Sequence, residues 1–237
     1  MALDPRKRQK KLERKKAKER KALTLARSRA PISPFARAAS APILDCFRAK
    51  SLWEAGIGWV VISRQLSNGQ IAFAAFLVDA FCLGVKNVHF DVVGPLDYQE
   101  RVVANLGDSS GRQKISPAYA RKLVEEAVAF AQRFGIGPHA DYHRASAIFG
   151  DIDASSCTEQ FTFGKDGKPF FIPGPNDSPA KCQRIIAQLQ QHAGPDGSDY
   201  IVQLSPDDLE SGLHRLFGDA ASEGKLKLIE EDHNAPN

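Results

Sequence analysis

Eleven cationic side chains crowd into sixteen positions near the start of the chain: Arg6, Lys7, Arg8, Lys10, Lys11, Arg14, Lys15, Lys16, Lys18, Arg20 and Lys21. Charge packed this densely has one obvious chemistry. It neutralises phosphates and releases their counterions, which gives affinity without sequence preference. Residues 1–29 carry thirteen Lys and Arg against three Asp and Glu, whereas the remaining 208 carry nineteen against twenty-five. The net +4 of the whole is therefore a strongly basic arm on a mildly acidic body, a distribution that points to a polyanionic partner. The arm holds no aromatic residue and no base-reading motif, so it suits phosphate and shape recognition, and RNA is favoured over DNA. A protein partner within a ribonucleoprotein fits the same reading.

Asp4-Pro5 reads as a helix start, and residues 6–30 contain neither Gly nor Pro. Like charges four residues apart oppose that helix until an anion neutralises them, so a polyanion should firm it up. Leu12, Leu23 and Leu25 make too thin a stripe for lipid insertion. A solubilising or addressing tail on a protein-interaction module is the alternative reading of the same residues.

The body offers weaker candidates. Asp79 lies in the apolar run Phe76-Leu77-Val78-Asp79-Ala80-Phe81-Cys82-Leu83, where an unpaired carboxylate is costly to bury. It could ligate a metal with Asp91 or His89 on a neighbouring strand, or accept hydrogen bonds from Arg64 or loop amides. His139 and His143 are four apart, a spacing that shares one helix face. Ala140 follows His139, so no HExxH motif is present. Asp79, Asp91, His139 and His143 together define an alternative function, a metal-dependent nuclease or phosphodiesterase. Ser178-Pro179 opens a helix whose free amides, with Lys165, Lys168 and Lys181, could hold a phosphate. Asp177 and the prolines at 173, 175 and 179 favour a rigid turn instead.

Neither GxSxG nor GxGxxG occurs, so no nucleophile elbow and no dinucleotide cofactor are expected, and no other cofactor is called for. Cys46, Cys82, Cys157 and Cys182 are too widely spaced for a CxxC pair or a disulfide framework. This usage suits a reducing cytoplasm. No apolar run reaches the roughly 20 residues a membrane helix needs, and no secretory signal pattern is expected.

The elements that must position these groups follow from periodicity and turn chemistry. The 43% hydrophobic and 25% charged composition is that of an ordinary folded domain. Residues 1–29 read as the arm, 30–42 as a Pro/Ala/Ser linker, and 43–150 as an α+β core. Residues 151–229 form a second hairpin–helix portion of the same body, and 230–237 an acidic tail. Ile43, Leu44, Phe47, Leu52 and Trp53 at helical spacing predict a helix over 43–54, ended by Gly56. Apolar runs over 59–66 and 71–83 flank Asn68-Gly69 and predict a hairpin, with a third strand over 87–93. Ser116-Pro117 opens a helix to about 134, and a shorter one is expected over 139–149. Asp166-Gly167 predicts a second hairpin over 161–172; Phe161, Phe163, Phe170 and Phe171 there could show bases a flat surface, but the alternation of Phe161 and Phe163 reads as one buried face. Ser178-Pro179 opens a helix to about 192. A short strand over 200–204 and a last helix from Ser205-Pro206 complete the reading. Antiparallel hairpins with segregated helices define the α+β class.

Overall fold

The computed structural model describes residues 34–106, 111–175, 177–194 and 196–201. The arm, the 205–206 helix start and the acidic tail lie outside the described residues. Five antiparallel strands form the sheet: β1 Ile43–Ala49, β2 Ile57–Gln65, β3 Ile71–Asp79, β4 Gly84–Val93 and β5 Arg112–Lys114, in the order β4-β3-β2-β1-β5. The fold is α+β.

The β2–β3 hairpin forms where Asn68-Gly69 places it. Gly69 takes φ 79°, the left-handed conformation a tight turn needs and glycine supplies without a Cβ clash. Its amide donates to the Leu66 carbonyl at 3.0 Å, and Leu66 N donates to the Gln70 carbonyl at 2.8 Å. The Asn68 side chain closes the loop by accepting from Gln70 N at 3.1 Å.

The helix expected over 43–54 is a correction. Residues 43–49 are β1, and only Leu52–Ala55 is helical. The physical reason is that β1 is covered on both faces. Cys46 belongs to one apolar cluster and Phe47 to another, so neighbouring apolar positions mimic helical spacing while pairing with β2 and β5 sets the backbone.

One sheet face lies under α1, Pro117–Gln132. Ser116 Oγ accepts from Tyr119 N at 3.1 Å, so the helix is capped as its sequence predicts. Leu123, Val124 and Ala127 of α1 are fully buried against a cluster that includes Val60, Ile62, Ala74, Phe76 and Val78. Gly84, at φ 64°, stands where an added Cβ would lie 2.6 Å from the Ala127 carbonyl oxygen. The helix therefore meets the start of β4 at a point only glycine permits. Part of the stretch read as linker joins this layer, since Phe35 and Ala38 are buried in the same cluster. The buried Arg64 guanidinium ties the layer together, donating to the carbonyls of Ala41, Ile148 and Phe149.

The opposite face is only partly covered by the described residues. Pro95–Asp97 and Tyr98–Val103 form a short helical segment that lays Tyr98 and Val102 on Phe47, Val61, Phe73 and Ala75. The Tyr98 hydroxyl donates to Ser63 Oγ at 2.8 Å, so the polar end of a fully buried ring is satisfied.

The remaining chain packs at one end of α1. α2, Pro179–Ala193, is capped by Ser178 and contributes Ile185, Ile186 and Leu189 to a cluster with Cys82, Leu83 and Phe171. The 161–172 hairpin is a second correction. Asp166-Gly167 does make the tight turn, with φ 53° and 81° and a single bridge between Lys165 and Lys168. Yet Phe161 and Phe163 form no strand. They pack on Trp53, Tyr119 and Phe130, and β6 (Phe170–Phe171) pairs in parallel with β7 (Asp199–Tyr200). The strand expected over 200–204 is described only at its start, because residues 202–204 fall outside the described set. The helix expected over 139–149 shortens to one turn, Tyr142–Ala145, followed by a 3-10 turn, Ser146–Phe149. No helix among the described residues is long and apolar enough to cross a membrane.

Candidate functional site

Asp79 ends β3 and turns its carboxylate into the β3–β4 connection. Its Oδ1 accepts from Phe81 N at 3.1 Å and Cys82 N at 2.8 Å. Loop amides, not Arg64, are its partners. Burial raises the carboxyl to about 6 against the pull of those amides. Asp79 pairs with Gly84, whereas Asp91 lies opposite Phe73, six residues back along β3. At strand rise this separates the two aspartates by about 20 Å. Asp91 is exposed and accepts from its neighbour Val92 N at 2.7 Å.

His139 lies ahead of the helical turn, so the shared face expected with His143 does not form. Its backbone amide donates to the Val85 carbonyl, and its Nδ1 accepts from Asp141 N at 3.2 Å. The exposed His143 ring rests edge-on against Tyr142, 5.2 Å between centroids. Among the described residues no three His, Cys, Asp or Glu side chains gather to hold a metal ion.

The cations expected around the α2 start each have another partner. Ser178 Oγ accepts from Lys181 N at 3.3 Å. Lys181 Nζ donates to Asp177 Oδ1 at 2.6 Å, while Lys86 Nζ and Gly174 N donate to Oδ2 at 2.9 and 2.8 Å. Lys168 Nζ donates to the Asp196 carbonyl, and Lys165 lies over the Phe170 ring at 4.8 Å. The anion at this helix start is thus the protein's own Asp177, whose side chain is only 4% exposed.

Burial alone would raise the Asp177 carboxyl, but Lys181, Lys86 and Gly174 outweigh it and hold it well below the usual carboxylate range. A group depressed on folding contributes stability above its unfolded pKa and loses it as pH falls. Asp177→Asn is therefore expected to cost about 2 kcal/mol at pH 7 and to remove a stability loss that the parent shows below about pH 4. Urea unfolding at pH 7 and pH 3 checks both parts.

The cysteines carry no nucleophile signature. Cys46 and Cys82 are buried, and burial pushes the Cys46 thiol up to about 12 and Cys82 higher still. No disulfide joins any of the four.

One surface was not legible as a site in the sequence. On the half-covered sheet face, His89, Ala75, Val61, Phe47 and Lys114 lie along one row across all five strands. The next row carries Trp59 opposite Leu77 and Leu77 opposite Asn87. Trp59, Leu77 and Asn87 are half-buried, while Ile57 and His89 are exposed. The Trp59 and His89 rings pack 5.4 Å apart. At the β5 edge, exposed Arg112 lies 5.3 Å above the Phe47 ring, beside exposed Lys114. The alternation of Trp59, Val61 and Ser63 against Val60 and Ile62 marks Trp59 as facing away from α1. The three-residue β5 gives no sequence signal of its own.

No protein-family model, curated protein or solved structure matches the chain. The class of protein defined here is thus an α+β body with a five-stranded antiparallel meander. Among the described residues, α1 covers one face of that meander and the Tyr98–Val103 segment covers part of the other.

Proposed function

We propose that this chain is a nucleic-acid-binding accessory protein of the cytoplasm, associated with RNA or a ribonucleoprotein. It contacts phosphates through residues 6–21. The observation that carries the reading is the charge partition, thirteen basic against three acidic residues in 1–29 of a chain whose remainder is net acidic. A body of net negative charge is repelled by a polyanion, so association depends on the arm, which acts as a tethered polycation. Each phosphate it neutralises adds a counterion-release increment. Replacing the eleven cations of residues 6–21 by glutamine in the full-length chain is expected to weaken binding to structured RNA at low salt by at least about 100-fold. Equal affinity of the two chains, measured by polarisation of a labelled RNA, contradicts the reading.

A further inference from the structure

We propose that the open half of the sheet face is a platform for single-stranded RNA, with bases stacking on Trp59 and His89 and phosphates running along Arg112 and Lys114. The proposal rests on the nucleic-acid reading above and assigns to the body a task the arm does not perform, recognition of unpaired bases.

Three features of the face carry it. First, Trp59 and His89 form a paired ring surface, half-buried at Trp59 and exposed at His89. Each rests on a strand, so its position is set by the sheet rather than by a loop. Bases stack on such rings whatever their identity, because every base has a π-face. Ile57, 38% exposed, and half-buried Leu77 extend the apolar floor around Trp59.

Second, the charge is graded across the sheet. Arg112 and Lys114 form the outer edge at β5, and neither makes a salt bridge among the described residues. Tyr98 and Val102 roof the middle of the row from Lys114 to His89, at Phe47, Val61 and Ala75, so the route left uncovered by the described residues is the next row, from Arg112 opposite Ala49 on β1 to Trp59 on β2, about 10 Å at ordinary strand spacing. A strand following that row meets cations at the β5 edge and the Trp59 and His89 rings beyond it.

Third, a cleft of about 320 Å³ opens beside His89, between β4 and the Tyr98–Val103 segment, lined in part by Asp91, Asp97 and Arg101. Its volume is at the small end of the range for ligand sites. Its polar groups suit the hydrogen-bonding edge of a base: carboxylates accept from exocyclic amines and arginine donates to ring acceptors. The same carboxylates repel phosphates, so the backbone is directed to the β5 edge and the bases to β4. A duplex, with its bases already stacked, cannot use these rings.

The test uses the full-length chain, a uridine octamer and a blunt RNA duplex. Trp59→Leu is expected to weaken octamer binding about tenfold, the loss of one stacked base, and to leave duplex binding and the salt slope unchanged. An unchanged urea midpoint shows that the variant is folded. His89→Ala is expected to act in the same direction. Arg112→Gln with Lys114→Gln, both on exposed side chains, is expected to flatten the octamer salt slope by about 1.4. Ultraviolet cross-linking of the octamer should label the peptide containing Trp59 or the one containing His89. Cross-links confined to the arm, with equal octamer affinity for parent and Trp59→Leu, overturn the platform and leave the arm reading intact. Absence of salt-dependent binding by the full chain to either RNA overturns both.

Discussion

Replacing Arg64 by methionine is expected to cost about 3–5 kcal/mol of folding stability, the largest loss of any single substitution considered for this chain. Arg64 is 4% exposed. Its Nε donates to the Ile148 carbonyl at 2.8 Å, one terminal nitrogen to Phe149 at 3.0 Å and the other to Ala41. A planar guanidinium is the side chain that can serve three acceptors in different directions at once. Those acceptors belong to two segments distant in sequence, residues 38–41 and 146–149, both held against β2. Methionine keeps the stem and most of the volume, so packing is largely preserved and the loss isolates the hydrogen bonds. Three carbonyls would be left without their donor, two of them, at Ile148 and Phe149, in buried hydrogen bonds. Burial lowers the affinity of the guanidinium for its proton, yet arginine stays charged throughout the working pH range. The loss should therefore be the same at pH 5 and pH 8. Arg64→Lys should recover little, since one ammonium cannot reach all three. Urea midpoints compare the variants; an unchanged midpoint for the methionine variant would contradict the staple.

The second large effect is a change of sign at Asp79. Asp79→Ala is expected to destabilise by about 2 kcal/mol, because the amides of Phe81 and Cys82 lose their acceptor. Asp79→Asn keeps an oxygen for those amides and removes the buried charge. In the parent, burial pushes the folded carboxyl up to about 6 from its ordinary 3.8. Between those two values the folded chain binds more protons than the unfolded one, so stability falls as pH rises through that window. The penalty is complete above about pH 6 and absent below about pH 4. The asparagine variant does not titrate there. Its stability relative to the parent should therefore rise by about 2–3 kcal/mol between pH 4 and pH 7. Parallel pH profiles for parent and variant would contradict the burial of this carboxylate.

These residues also show what a sequence reading reaches. Asn68-Gly69 and the two Ser-Pro helix starts were legible because their chemistry is local: a left-handed glycine, a hydroxyl cap and a proline that needs no amide donor. Asp79 stood out as a charge in an apolar run, and one of its two expected structural partners, the loop amides, is the one present. β1 was misread because strand pairing, a long-range interaction, set a backbone whose local spacing suggests a helix. Phe161 and Phe163 were read as buried, and they do pack inward, but as an irregular segment rather than half of a hairpin. The phosphate candidates disperse because Lys181 pairs with Asp177, Lys168 with the Asp196 carbonyl and Lys165 with the Phe170 ring; Lys86, which joins Asp177 from a strand ninety-one residues away in sequence, is a partner no local pattern announces. The Trp59–His89 surface depends on three strand registers and on which face Tyr98 leaves open. The arm is the reverse case, since its reading rests on composition alone.

The most direct measurement is a salt titration of binding to structured RNA and to duplex DNA, comparing the full-length chain with the variant in which the eleven cations of residues 6–21 are glutamine. The account predicts a steep linear fall of log affinity with log salt for the parent. The variant should bind weakly and lose most of that slope, and the parent should bind RNA more tightly than DNA. A slope that is the same with and without those eleven charges would contradict the claim that the arm is what holds this protein to nucleic acid.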